Sequence, residues 1–136
     1  MRPGDWVLVE GTGGVAVFAL QLAKLAGARV VALSSSDEKL ARAREFGADA
    51  TINYRTTPEW AAAAREATGG RGLDIVVETG GASTLPQALA AAAFGGFVGV
   101  VGPVGGFEAR HDVRQLLGPM VASRASRWGP ARALRR

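Results

Sequence analysis

The sequence contains no cysteine and only one histidine, His111, among its 136 residues. The absence of cysteine excludes disulfides, thiolate catalysis and cysteine-ligated zinc, and a single histidine cannot build a metal site by itself. We therefore expect no zinc bound by this chain. Long apolar runs are also missing, because the most apolar stretch, VAVFALQLAKLAG, is interrupted by Gln21 and Lys24 well short of a membrane span. With no recognisable leader segment either, we expect a cytoplasmic protein without a membrane partner.

Excess positive charge is confined to one end of the chain. The formal net charge is +4, but seven of the 16 basic residues are arginines that follow Ala109, where the only acid is Asp112. Residues 1–108 are slightly acidic as a result. An arginine-rich terminal segment without a periodic apolar face is typical of a solvated tail, so we expect no nucleic-acid partner.

Short apolar runs alternate with helical patterns along the chain. The runs are WVLVE, RVVALS, ATINY, LDIVVET and FVGVVG, and the helical patterns between them begin at Gly14, near Asp37, near Glu59 and near Thr84. Ser35 and Glu38 have the spacing of a capping box, and Thr57 before Pro58 predicts the start of the third helix. Continuous β-branched runs separated by single helices predict a doubly wound parallel α/β sheet, a Rossmann fold.

The stretch VLVEGTGGVA connects the first strand to the first helix. Gly11, Gly13 and Ala16 match the pattern G-x-G-x-x-G/A in the context that the pattern requires. Gly11 permits a tight turn, Gly13 lets the backbone approach a pyrophosphate, and Ala16 allows close packing of helix and strand. The free amides at the helix start then face the phosphates, which predicts a dinucleotide site.

The end of the second strand reads VVALSSSDEK, so Ser34 occupies the position at which an acid would bind the adenosine ribose. A serine can donate a hydrogen bond to a 2′-phosphate that a carboxylate would repel, and Lys39 adds a positive charge nearby. We therefore expect NADP(H) to be preferred over NAD(H).

Three segments resemble one known family: GDWVLVEGTGGVAVFALQLAKLAGARVVALSSSDEKLARAREFGADATINYR, GGRGLDIVVETGG and GGFVGVVGPVGG. They are similar to the cofactor-binding half of the medium-chain dehydrogenase/reductases, which include zinc-type alcohol dehydrogenases and quinone oxidoreductases. The resemblance covers roughly residues 3–106 and implies that several residues contact the dinucleotide. The loop residues Gly11, Gly13, Gly14 and Val15 would bind the pyrophosphate, Ser34, Lys39 and Tyr54 the adenosine side, and Thr79, Gly80, Val101 and Gly102 the nicotinamide side.

Two departures from the family limit what the resemblance implies. The barrel-like domain that supplies catalytic residues in the family would precede Met1, so no catalytic residue can be named and a small-molecule substrate would bind only if that domain is supplied. After Gly106 the likeness fades, which predicts that the sheet lacks its last strand.

We accordingly divide the chain into a dinucleotide-binding domain, 1–108, and a divergent arginine-rich segment, 109–136, which we expect to be disordered. A shifted reading frame is one hypothesis for the composition of that segment.

These observations together predict an NADP(H)-dependent oxidoreductase of the alcohol dehydrogenase or quinone reductase type, represented by its cofactor-binding domain and not catalytically competent alone. One alternative is a non-catalytic dinucleotide-binding module or truncated remnant. Another is an S-adenosylmethionine-dependent methyltransferase, since a glycine-rich turn after the first strand also serves that ligand, although Ser34 again replaces the acid expected there.

Overall fold

The sheet contains six parallel strands in the order β3-β2-β1-β4-β5-β6. This computed structural model describes residues 1–108, 110 and 112–125. The strands are β1 (Trp6–Glu10), β2 (Arg29–Ser34), β3 (Ala50–Asn53), β4 (Leu73–Glu78), β5 (Ala92–Val100) and β6 (Ala122–Ala125). The helices are α1 (Gly14–Leu25), α2 (Asp37–Glu45), α3 (Trp60–Ala67), α4 (Leu85–Ala91) and α5 (Arg114–Leu117), with a 3-10 turn at Gly81–Ser83.

The order of the strands reverses at β1. The chain runs outward from β1 to β3 and then crosses back to form β4 on the other side of β1, with Val7 opposite Ile75. This arrangement confirms the predicted doubly wound Rossmann fold. In such sheets a crevice opens at the carboxyl ends of the strands on either side of the reversal, which here are β1 and β4.

The core has one apolar layer on each face of the sheet because successive strand residues point in opposite directions. Val7 and Val9 of β1 face the layer formed with α1 and α2. Leu8 faces the layer that contains Trp60 and the apolar side of α4. All three β1 residues are at most 1% exposed. A central strand buried on both faces explains why WVLVE is a continuous apolar run and not an alternating one.

Two helices begin later than the sequence predicts. Ser36, not Ser35, is the N-cap of α2, and its hydroxyl accepts the Lys39 backbone N–H at 3.4 Å. α3 begins at Trp60 rather than directly after Thr57. The N–H of Ala61 in its first turn is accepted by Gln87 of α4, at 2.9 Å, so a residue distant in sequence replaces the predicted local cap.

The prediction that the sheet lacks its last strand is wrong. β6 pairs in parallel with β5, with Phe97 opposite Ala122 and Val100 opposite Ala125. The sequence of this strand, ASRA, has no β-branched residue and no alternating pattern, so backbone pairing with the edge of β5 forms it without a sequence signal. Pro119, shortly before β6, also contacts β5, because its carbonyl accepts the N–H of Gly95 at 2.8 Å.

Candidate dinucleotide site at the switch point

The glycine turn after β1 leaves its surface open. Gly11 has a φ of +80°, a conformation that favours glycine, and donates its N–H to the Leu33 carbonyl at 2.6 Å. Gly13 is the N-cap of α1, where no side chain caps the helix and no acid occupies the first turn. A Cβ built on Gly13 or Gly14 would meet no atom within 4 Å. The start of α1 therefore offers N–H donors and the positive end of a helix to an approaching anion.

A cleft of about 720 Å³, the main cleft, opens at the carboxyl ends of β1 and β4. The glycine turn lies on one side of it and the turn after β4 on the other, which brings together seven predicted site residues from three parts of the chain. These are Gly11, Gly13, Gly14, Val15, Tyr54, Thr79 and Gly80.

A smaller cleft of about 280 Å³, the side cleft, adjoins the glycine turn and shares Gly11 and Gly13 with the main cleft. The predicted site residue Lys39 lines it, and so does Arg42, one turn further along α2. Arg42 was missed by the sequence analysis, although its spacing of three residues from Lys39 places both on one helix face. Two positive side chains thus flank the glycine turn.

Three predicted site residues line neither cleft. Ser34 is only 4% exposed at the end of β2. Val101 and Gly102 follow β5, and Val101 donates its N–H to the Glu78 carbonyl at 2.7 Å. The later residues Val104 and Gly105 of the same segment line the main cleft instead.

The segment after β5 is bound to the turn after β4 by close backbone contacts. Gly105 donates its N–H to the Gly80 carbonyl at 2.6 Å, and Ala82 donates to the Gly106 carbonyl at 2.9 Å. A Cβ on Gly81 would lie 2.5 Å from the Gly106 oxygen, so this approach requires glycine. The wall of the main cleft formed by Val104 and Gly105 therefore depends on the position of residues 79–81.

Two buried carboxyl groups hold the turn after β4. Glu10 is 5% exposed and Glu78 is 0% exposed. Glu10 Oε2 accepts the N–H of Thr79 at 3.0 Å and that of Gly80 at 3.2 Å, while Glu78 Oε1 accepts Gly80 at 2.7 Å and Gly81 at 2.9 Å. These N–H groups are consequently used within the protein and not free for a ligand.

Burial and the neighbouring carboxyl of Glu78 raise the pKa of Glu10 to about 9, against the lowering effect of its bonds from Thr79 and Gly80. This pair was not predicted from the sequence. The available signal was positional: Glu10 ends β1 and Glu78 ends β4, and adjacent parallel strands place their carboxyl ends at the same edge of a sheet.

The model of the zinc-binding dehydrogenase family matches residues 14–132, which is most of the chain. The chain belongs to this family. The resemblance inferred from the sequence is thereby confirmed, and the match extends past Gly106, where the likeness was expected to fade.

Relatives of this zinc-binding dehydrogenase chain are longer than the chain itself. A zinc-type alcohol dehydrogenase-like protein of Schizosaccharomyces pombe is 44% identical over 126 residues, which cover 93% of this chain and 36% of that protein. The crystal structure of an NAD-dependent alcohol dehydrogenase is 41% identical with a TM-score of 0.85, covering 91% of this chain and 36% of the other. A mycobacterial protein complexed with NADPH is 32% identical with a TM-score of 0.84, covering 93% and 40%. The chain thus spans little more than a third of these relatives.

The zinc implied by the name of the family does not fit the described residues. Within residues 1–108, 110 and 112–125, no three histidine, aspartate or glutamate side chains come together to hold a metal ion. The same part of the chain contains no helix that is both long and apolar enough to cross a membrane.

A dinucleotide fits this site better than zinc does, since the open glycine turn, the uncapped start of α1 and the flanking lysine and arginine suit a pyrophosphate and its adenosine.

Proposed function

We propose that this zinc-binding dehydrogenase chain binds a nicotinamide dinucleotide across the main cleft and forms the cofactor-binding part of an oxidoreductase. The observation that carries the proposal is the open glycine turn at the uncapped start of α1. The helix end and its free donors favour an anion, and the turn lies at the strand reversal where this fold binds ligands. Gly11, Gly13, Gly14 and Val15 would hold the pyrophosphate there.

From this turn, the adenosine end and the nicotinamide end of the dinucleotide would extend in opposite directions along the sheet edge. Tyr54 and the side cleft support an adenosine on the side of β2 and β3. Thr79 and Gly80 support the nicotinamide ribose on the side of β4 and β5, with Val104 and Gly105 as the nearer wall. Val101 and Gly102 line neither cleft, so they would affect nicotinamide binding only by fixing the position of Val104 and Gly105.

Charge supports NADP(H) over NAD(H). Lys39 and Arg42 line the side cleft, and both can pair with a 2′-phosphate. The nearest acid after β2, Asp37, accepts the Asn53 side-chain amide at 2.8 Å, which directs it toward β3. Ser34 ends β2 without a carboxylate. Its low exposure leaves Lys39 and Arg42 as the stronger basis for the preference.

The dinucleotide would supply hydride transfer when bound, and the chain would supply its position. A small-molecule substrate would require the further domain that longer relatives have room for. We therefore expect the chain alone to bind cofactor without turning over substrate. The alternative of a non-catalytic dinucleotide-binding module makes the same prediction for the chain by itself, and the two differ only when a substrate-binding domain is present.

Titration of the purified chain with NADPH, NADH and S-adenosylmethionine tests the proposal. We expect saturable binding of NADPH, weaker binding of NADH and none of S-adenosylmethionine. Tighter binding of NADH than NADPH would contradict the assigned preference. Selective binding of S-adenosylmethionine would favour the methyltransferase alternative.

A further inference from the structure

Glu10 Oε1 is a buried polar atom without a hydrogen-bond partner in the described part of the chain. The residue lines the main cleft and lies next to Glu78, whose two oxygens both accept hydrogen bonds. A buried acceptor left unpaired is costly, and two adjacent buried carboxylates repel each other. A proton on Glu10 removes this repulsion, and an unpaired oxygen of a neutral acid costs less to bury than an unpaired oxygen of a carboxylate.

Thr84 provides a second observation for the same proton. Its Oγ1 lies 2.5 Å from Glu78 Oε1 and 3.2 Å from Glu10 Oε2. A hydroxyl has one hydrogen to donate, so Thr84 can donate to only one of these carboxyl groups at a time. When Thr84 donates to Glu78, its contact with Glu10 becomes a hydrogen bond only if Glu10 is the donor. The geometry therefore accommodates one proton between the two carboxyl groups.

We propose that Glu10 and Glu78 share one proton, and that this proton keeps residues 79–81 in the position that completes the dinucleotide cleft. Glu10 and Glu78 are positioning residues here, because they act through the backbone of Thr79, Gly80 and Gly81. Loss of the proton places two negative charges beneath this turn. The turn and the segment of Val104 and Gly105 bound to it then move, and the dinucleotide binds less tightly. The binding part of this inference rests on the proposed function, whereas the shared proton does not.

The other groups around the pair do not compensate for the second charge. β2 contributes Leu33 to the surroundings of Glu10, and the uncharged Thr84 and Gln87 come from the N-cap of α4 and from α4 itself. Tyr54 lines the same cleft, while Lys39 and Arg42 line the adjoining side cleft. Among residues 1–108, 110 and 112–125, Glu78 is the one whose charge raises the pKa of Glu10.

The shared proton is tested by urea unfolding of the nucleotide-free chain between pH 5 and pH 10. Folding raises the pKa of Glu10 from 4.5 to about 9, so between about pH 5 and pH 9 the folded chain holds a proton that the unfolded chain has released. The stability of the wild type should therefore fall as pH rises. Glu10→Gln should lose this decline, because an amide stays neutral. Glu66→Gln, which removes an exposed carboxylate of α3, should keep it.

The binding part is tested by the Kd of NADPH for the same three proteins at pH 7 and pH 10. If only the protonated pair binds, a pKa near 9 leaves about a tenth of the wild type competent at pH 10, and its Kd should rise about tenfold. The ratio between the two pH values should be close to one for Glu10→Gln and about tenfold for Glu66→Gln. Lys39 and Tyr54 are present in all three proteins, so their charges affect each comparison equally.

Identical pH dependence of unfolding in the wild type and Glu10→Gln would overturn the shared proton. An NADPH affinity that does not change in the wild type at pH 10 would overturn its effect on binding. Failure of every protein to bind NADPH at pH 7 would refute the proposed function, while the unfolding series still decides the shared proton. If Glu10→Gln does not fold, Glu78→Gln replaces it. Removing the neighbouring carboxylate should make the decline in stability end at lower pH, and an unchanged decline would overturn the proposal.

Discussion

Gly13 is the residue at which cofactor binding and folding can be separated most cleanly. Its φ of −76° suits any residue, and a Cβ there meets no protein atom within 4 Å. Gly13→Val should therefore fold but place methyl groups where the pyrophosphate would lie. We expect NADPH affinity to fall by ~1–3 kcal/mol, or about 5- to 150-fold.

Fluorescence titration measures this loss, and circular dichroism checks that the helices remain. Gly13→Ala should give a smaller loss because its side chain is smaller. Gly11 is a poorer choice, since its φ of +80° would add backbone strain to any substitution. Undiminished NADPH affinity in folded Gly13→Val would show that the ligand does not approach this turn.

Lys39 and Arg42 should distinguish the two nicotinamide dinucleotides. Replacing either with alanine removes a positive charge from the side cleft, so we expect NADPH to bind ~1–2 kcal/mol more weakly, roughly tenfold in Kd. NADH, which lacks the 2′-phosphate, should lose little. Arg44→Ala is the matched control, because Arg44 lies on the same helix but donates to Thr51. Calorimetric titration with both cofactors measures the difference, and equal losses for the two would mean that neither residue contacts the phosphate.

At the scale of elements, α3 depends on α4 for its first turn. Gln87 accepts the Ala61 N–H at 2.9 Å and donates its amide to the Pro58 carbonyl at 2.6 Å, and no side chain of α3 caps the helix. Gln87→Ala should lower the free energy of unfolding by ~1–3 kcal/mol, since two backbone groups lose their partner. Gln87→Glu should lose less, because it retains the acceptor for Ala61.

Urea unfolding measures both changes, with Gln21→Ala as a control on the exposed side of α1. We expect the control to stay within ~0.5 kcal/mol of the wild type. A Gln87→Ala value equal to the control would mean that water replaces both hydrogen bonds at no cost.

The elements that the sequence predicts well are those that bury continuous apolar runs. WVLVE and RVVALS become central strands because no other arrangement covers both of their faces. β6 could not be predicted, since ASRA is held by backbone pairing with β5, which composition does not reveal. The late start of α3 depends on Gln87, whose hydrogen bond with Ala61 is a tertiary contact that the local sequence does not reveal.

In the candidate site, too, the residues with a local sequence pattern could be predicted and those that depend on tertiary contacts could not. The glycine turn has a local pattern, so Gly11, Gly13 and Gly14 could be located before the fold was known. The pairing of Glu10 with Glu78 depends on which strands become neighbours, and each glutamate alone looks like the polar end of a strand. Ser34 was predicted by its place in the sequence, but its burial follows from the packing of the whole β2 strand.

At the scale of the whole molecule, ligand binding should appear as increased thermal stability. A ligand that binds only the folded chain stabilises it by about 2.7 kcal/mol at a concentration 100 times its Kd. For a domain of this size the Tm should rise by roughly 10 °C with NADPH. Differential scanning fluorimetry measures the shift, and Gly13→Val should show little of it under the same conditions. A wild-type Tm that NADPH leaves unchanged at millimolar concentration would argue against the proposed function.

The contact between Glu10 and the turn after β4 joins residues 69 and 70 positions apart. A chain that leaves the ribosome from its amino end can pair β1 with β2 early, but the other side of β1 stays uncovered until β4 has been synthesised. At about 5–20 residues per second, that interval lasts several seconds. During this time Glu10 is open to water and ionises freely. Closing the sheet is then also a protonation event, in which the nascent protein takes up a proton as its two halves meet.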